Sequence, residues 1–118
     1  MTYTSFSNIN QLEEFSFVGG NDYYLDFTAY GSDGYTPMDL GGATVYWVLA
    51  PYGQPDYRVA QLTASITGTN TFRVEIPSAT SAPLSGKYTH QPVIISFGGK
   101  EYRPCQGIVL IMPQIPRT

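Results

Sequence analysis

The chain holds one histidine, His90, and one cysteine, Cys105. Any serine- or cysteine-nucleophile mechanism would therefore have to use His90 as its base. His90 falls on the same strand face as Tyr88, a face expected to point inward. Its expected role is a hydrogen-bonded histidine of the core or of a subunit interface. Cys105 follows a proline and has no base beside it in sequence, so it reads as a structural thiol. A lone cysteine also excludes an internal disulfide. One histidine and one cysteine cannot complete a zinc site without several carboxylates. Asp22 and Asp26, or Asp33 and Asp39, could contribute to a loop calcium site, but EF-hand spacing is missing, and they read as turn formers and caps. The pairs Gly19-Gly20, Gly41-Gly42 and Gly98-Gly99 lack phosphate-loop spacing and a following helix, so they mark turns. No catalytic, metal-binding or cofactor-binding residue is expected, and the chain does not read as an enzyme.

Tyrosine is the conspicuous side chain, with ten copies. Tyr30, Tyr35, Tyr52 and Tyr57 fall on loops near Asp33 and Asp56, where stacking platforms beside carboxylates would suit a sugar. Only 13% of residues are charged, against about 25% in ordinary soluble domains. An uncharged polar surface rich in tyrosine suits a protein that works in an assembly, because tyrosine gives large contact area at low entropic cost. The net charge of −3 and the absence of a basic run exclude nucleic-acid binding by phosphate neutralisation. No apolar run approaches bilayer length, and no membrane partner is expected. Residues 1–5 lack the basic and apolar regions of a signal peptide, so synthesis and retention in the cytoplasm are expected, or assembly there into something released later.

The elements that carry these residues read as strands. In residues 40–50, Ala43, Val45, Trp47 and Leu49 take one face of a period-2 pattern, and Thr44, Tyr46, Val48 and Ala50 take the other. Gly41-Gly42 opens the run and Pro51 closes it. Trp47 is the expected core anchor, and the Tyr46–Val48 face is apolar enough to be covered by the N-terminal segment or by a neighbouring subunit. Further strands are expected over residues 14–18, 23–30, 57–62 with a continuation to 66, 71–76, 84–97, and 101–112 with an interruption at Pro104 that marks an edge or bulge. Residues 77–83 can hold at most one helical turn. About seven or eight short strands with no helix-period segment predict an all-β sandwich. Residues 1–12 read as a poorly patterned arm, and residues 13–118 as one domain.

Two resemblances follow. Ser85-Gly86-Lys87-Tyr88-Thr89-His90 is similar to the corner before strand F of immunoglobulin-like domains, with Trp47 upstream as the strand-C tryptophan. This implies an immunoglobulin-like antiparallel sandwich in which Tyr88 faces Trp47 across the core, although His90 stands where the second cysteine would be. The order Phe17-Val18-Gly19-Gly20-Asn21-Asp22, Pro37-Met38-Asp39-Leu40-Gly41-Gly42-Ala43-Thr44-Val45, Phe72-Arg73-Val74-Glu75-Ile76-Pro77, Leu84-Ser85-Gly86-Lys87-Tyr88 and Gly107-Ile108-Val109-Leu110 resembles the N-terminal domain of baseplate upper proteins from tailed phages. That resemblance covers about residues 15–113. It implies a non-enzymatic virion protein, made in the host cytoplasm, that contacts other virion proteins and forms a homo-oligomer, with a trimer favoured. The given sequence does not continue into the long helical stalk of that family, so either a stand-alone protein of capsid, neck, tail or baseplate is expected, or a fragment whose partner is another chain, with the first favoured. The expected contact residues are Phe6, Ile9 and Leu12 in the arm, Tyr24, Tyr30 and Tyr46 on outer faces, and Ile111 and Ile115 near the C-terminus. The alternative function is a carbohydrate-binding sandwich for host-surface adhesion.

Overall fold

The computed structural model describes residues 3–115 and consists of strands joined by tight turns. In chain order these are β1 (Tyr3–Phe6), β2 (Phe15–Val18), β3 (Tyr23–Thr28), β4 (Thr44–Pro51), β5 (Ala60–Thr63), β6 (Ser65–Ile66), β7 (Thr71–Ile76), β8 (Gly86–Ile95), β9 (Glu101–Tyr102) and β10 (Gly107–Met112). One helical turn, α1 (Ser78–Ser81), lies between β7 and β8. One sheet runs β1-β3-β7-β6 and the other β2-β10-β8-β4-β5, with β9 also paired to β8. The all-β sandwich expected from the alternation is therefore present.

The strand order is that of an immunoglobulin-type sandwich, A-B-E-D on one side and G-F-C on the other, with an added strand beside C and a short strand beside G. Two expectations need correction. Among the described residues ten strands form rather than seven or eight, because residues 3–6 add β1, the last run divides into β9 and β10, and the run expected over 57–66 divides at Ala64. Its first part, β5, pairs with β4, and its second, β6, pairs with β7 in the opposite sheet. The sheets are also mixed rather than antiparallel, since β1 runs parallel to β3 and β2 parallel to β10. The N-terminal strands enter along opposite edges of the sandwich, and their chain direction makes both pairings parallel. The interruption near Pro104 is a bulge. Between the Ile94–Tyr102 and His90–Gly107 pairs, β8 runs from 90 to 94 while its partner runs from 102 to 107, one residue more.

Period-2 alternation converts directly into burial. Val45, Trp47 and Leu49 of β4 are buried, as are Tyr23, Leu25 and Phe27 of β3 and Phe72, Val74 and Ile76 of β7. Stacked aromatics carry the core between the sheets. Phe72 stacks on Phe27 at 4.8 Å and Phe27 on Phe6 at 4.9 Å, and Phe6 meets the edge of Phe15 in the other sheet at 5.7 Å.

Phe6 and Ile9 therefore do not form a free arm. They are 4% and 0% exposed, within the core of their own chain, and Leu12 packs against it. Residues 3–12 belong to the sandwich, because β1 pairs with β3 and the segment after it crosses the seam between the sheets. Ile111, also expected at an interface, is an inward-facing residue of β10 and only 2% exposed. Tyr88 lies in the same sheet as Trp47, opposite Pro51, and not across the core. Its hydroxyl donates to the Ser85 carbonyl at 3.1 Å and accepts from the Ser85 amide at 3.3 Å, closing the corner before β8.

His90 is wholly buried, and its Nδ1 accepts a hydrogen bond from Trp47 Nε1 at 3.0 Å. Gly107 stands opposite it on β10 because nothing larger fits: a Cβ there would lie 2.6 Å from His90 Nε2 and 2.8 Å from Leu12 Cβ. Gly107→Ala should therefore destabilise the domain by about 1–3 kcal/mol, the usual cost of overpacking. At about 4 °C per kcal/mol for a chain of this size, calorimetry will resolve the shift.

Candidate interaction surface

The outer face of β4 is a place where strand patterning leaves apolar side chains outside the core. Tyr46, Val48 and Ala50 point away from Trp47 and are half-buried. Register sets Val93 beside Tyr46, Gln91 beside Val48 and Thr89 beside Ala50. Val93 is only 4% exposed although it lies outside the main core cluster, so the outer face has a buried floor of its own.

Two walls rise from this floor. Pro55, Arg58 and Gln61 form one, from the loop after β4 and from β5; Glu101, Arg103 and Gln106 form the other, from β9 and the bulge. Together they enclose a groove of about 330 Å³. Arg58 Nη1 donates to Gln61 Oε1 at 2.5 Å. Arg103 pairs with Glu101 at 2.6 Å and reaches Gln91 Oε1 at 3.5 Å. An apolar floor ringed by arginine and glutamine has the anatomy of a protein–protein contact, where a dry centre gives affinity and a polar rim gives register. The N-terminal segment, one of the two expected covers, does not lie over this face. It is occupied at the edge of β3 and at the seam.

The other expected contact residues scatter. Tyr24 lies under the Arg73 guanidinium, 5.1 Å from its ring centroid, and Arg73 in turn forks onto Asp26 at 2.7 and 3.1 Å. Tyr30 is half-buried, bridged to Pro37, and its carbonyl accepts from Asn10. Ile115 is 90% exposed beyond the end of β10. Of the loop tyrosines, Tyr30 and Tyr35 lie before β4 and Tyr52 and Tyr57 after it. The eight residues of β4 hold the two pairs roughly 23 Å apart, so no single sugar platform gathers all four. Tyr52 is engaged by Lys87, whose Nζ lies 4.0 Å from the ring centroid.

The candidate chemical groups are all occupied structurally. Asp33 accepts from the Tyr35 and Thr36 amides and from the Thr36 hydroxyl, which hold its carboxyl below the usual range. Asp39 accepts from the Gly41 amide and Asp22 from the Ser78 amide. No group of three or more His, Cys, Asp or Glu side chains gathers among the described residues. The Cys105 thiol donates to the Ile9 carbonyl at 3.2 Å, and burial pushes its pKa up, away from the reactive thiolate. Among the described residues no helix is long and apolar enough to cross a membrane.

One exposed aromatic, Phe97, goes unremarked in the sequence reading. It stands 86% exposed on the turn between β8 and β9 and would meet any Cβ at Gly42 at 3.0 Å. Its signal was its place just before Gly98-Gly99 in a hairpin turn. Comparison with known proteins returned no matching family model and no matching curated protein.

The two faces of β4 should respond differently to truncation. Leu49→Ala, on the inner face, should cost about 2–5 kcal/mol. Val48→Ser, one residue away on the groove floor, should cost less than about 1 kcal/mol. Denaturant melts of the two variants will separate the face that folds the domain from the face that is free to bind.

Proposed function

We propose that this chain is a non-enzymatic structural protein of a tailed-phage virion. It works through protein–protein contacts, as a capsid decoration or head-fibre base, or as a neck, tail or baseplate component. The observation that carries the reading is the groove over Tyr46, Val48 and Val93, an apolar surface with an arginine-bearing rim on a sandwich of low charge. The resemblance of the motif order to that of baseplate upper proteins is the support for the virion setting. The histidine, the cysteine and the loop aspartates Asp22, Asp33 and Asp39 have structural partners, which supports a role in contact rather than in turnover. In this reading the partners are other virion proteins and further copies of the chain, with three-fold association favoured.

A charge placed on the groove floor tests the reading. Val48→Arg should keep the wild-type melting temperature within about 2 °C, because the position lies outside the core. It should also abolish association measured by light scattering and lower incorporation into virions at least tenfold. A wild-type protein that stays monomeric and fails to bind purified virions or capsids would overturn the proposal. So would a Val48→Arg variant that assembles normally.

A further inference from the structure

His90 is fully buried, and among the described residues no neighbouring charge shifts its titration. Phe6 of β1 lies 5.8 Å from its ring, Phe15 of β2 meets it edge-on at 5.3 Å, and Trp47 of β4 lies at 5.7 Å. Gly107 of β10 and Leu12 close over Nε2. Because the Trp47 N–H donates to Nδ1, that nitrogen carries no proton, and the proton of the neutral ring sits on Nε2. Nε2 is buried and has no hydrogen-bond partner among the described residues.

Protonation is unfavourable in this setting on both sides of the ring. A second proton must go on Nδ1, where it confronts the Trp47 N–H donor. Nε2 would still lack an acceptor. The charged ring therefore needs water, and the surrounding elements differ in how easily they admit it. Trp47 is held in β4 between β5 and β8, and Gly107 in β10 between β8 and β2. Residues 7–14 belong to no strand. They are tied by one backbone bond to β3, from the Ile9 amide to the Thr28 carbonyl, and otherwise by side-chain bonds: Asn8 to the Gly34 carbonyl, Asn10 to the Tyr30 and Gly31 carbonyls, Tyr102 to Asn10, and Cys105 to the Ile9 carbonyl. The β1 strand before them is a four-residue edge.

We propose that His90 is an acid-operated latch: protonation of its imidazole releases residues 3–14 from the sandwich and exposes Phe6 and Ile9, while the β4–β8 framework persists. Burial lowers the ring to about 4 in the closed state, against 6.5 for a free histidine. The closed state thus binds the proton more weakly than the open one. The stabilisation that His90 gives the closed state is full above about pH 6.5 and shrinks as pH falls toward 4. Between pH 7 and pH 5 the opening equilibrium should grow by about 20-fold. The device concerns the inner face of β4, and it stands or falls independently of the groove and of the virion setting.

Hydrogen-exchange protection, corrected for intrinsic rates, provides the test. In the wild-type chain, amides of residues 3–14 should lose protection by about 20-fold from pH 7 to pH 5, while those of β4 and β8 keep theirs. His90→Gln, which can accept from Trp47 but cannot take a proton, should show no such dependence. An equal loss across all strands, or the same loss in His90→Gln, would overturn the latch. Should that variant not fold, NMR titration of His90 in the wild type decides. A ring that titrates below the free value and in step with exposure of residues 3–14 upholds the latch, and one that titrates at the free value or out of step overturns it.

Discussion

A single hydrogen bond between the Trp47 indole and the His90 imidazole lies where the two sheets, the N-terminal segment and the β10 strand all meet. Both partners are buried, so each satisfies a polar atom that would otherwise cost about 1–3 kcal/mol in the core. The bond also fixes the orientation of both rings. The bond joins neighbouring strands of one sheet, β4 and β8, and does not cross the sandwich. An immunoglobulin domain with a disulfide ties its sheets covalently behind the tryptophan. Here the tie between sheets is aromatic, through Phe72, Phe27, Phe6 and Phe15. Each such ring contributes about 1.5–3 kcal/mol by burial, so the stack can stand in for a covalent link if all its members stay in place.

That arrangement explains why the N-terminus is not an optional arm. Phe6 is both the middle ring of the stack and a wall of the His90 site. Pulling β1 away would open the core on one side and wet the imidazole on the other. The segment after it is held by the buried Ile9, by the bond from the Ile9 amide to the Thr28 carbonyl, and by polar ties to the loop after β3 and to the bulge after β9. Residues 7–14 thus rest on side-chain packing and a few bonds rather than on a strand ladder.

The parts of the fold that were readable in the sequence are those where strict alternation coincides with β-branched and aromatic residues. β3, β4 and β7 meet that condition, and the corner tyrosine and the proline-marked bulge carried local signals of their own. Phe6, Ile9 and Leu12 did not meet it. Their spacing of three fits neither a strand nor an isolated helix, and only the tertiary position of His90 and Phe27 gives them a place inside. The division of 57–66 between sheets was equally hidden, because Ala64 carries no turn signal and the change of sheet is decided by pairing with β7. Of the candidate surface, the floor was visible as the second face of β4. Its walls were not, because Arg58 and Arg103 come from distant segments that β8 and the bulge bring to one face.

Edge geometry narrows how such a domain can associate. Among the described residues the edge strands are β1, β6, β2, β5 and the two-residue β9, and none is longer than four residues. Short edges offer a partner few unpaired backbone groups, so strand addition would gain little and is effectively suppressed. The middle of the β4–β8 sheet offers the opposite: eight paired positions of β4 and ten of β8, with a floor between two polar walls. Contact through a face also keeps each copy's backbone hydrogen bonds intact. It leaves the core bond between Trp47 and His90 untouched on the other side of the same strand. One strand can thus carry folding on one face and association on the other, because a period of two keeps the two sets of side chains apart.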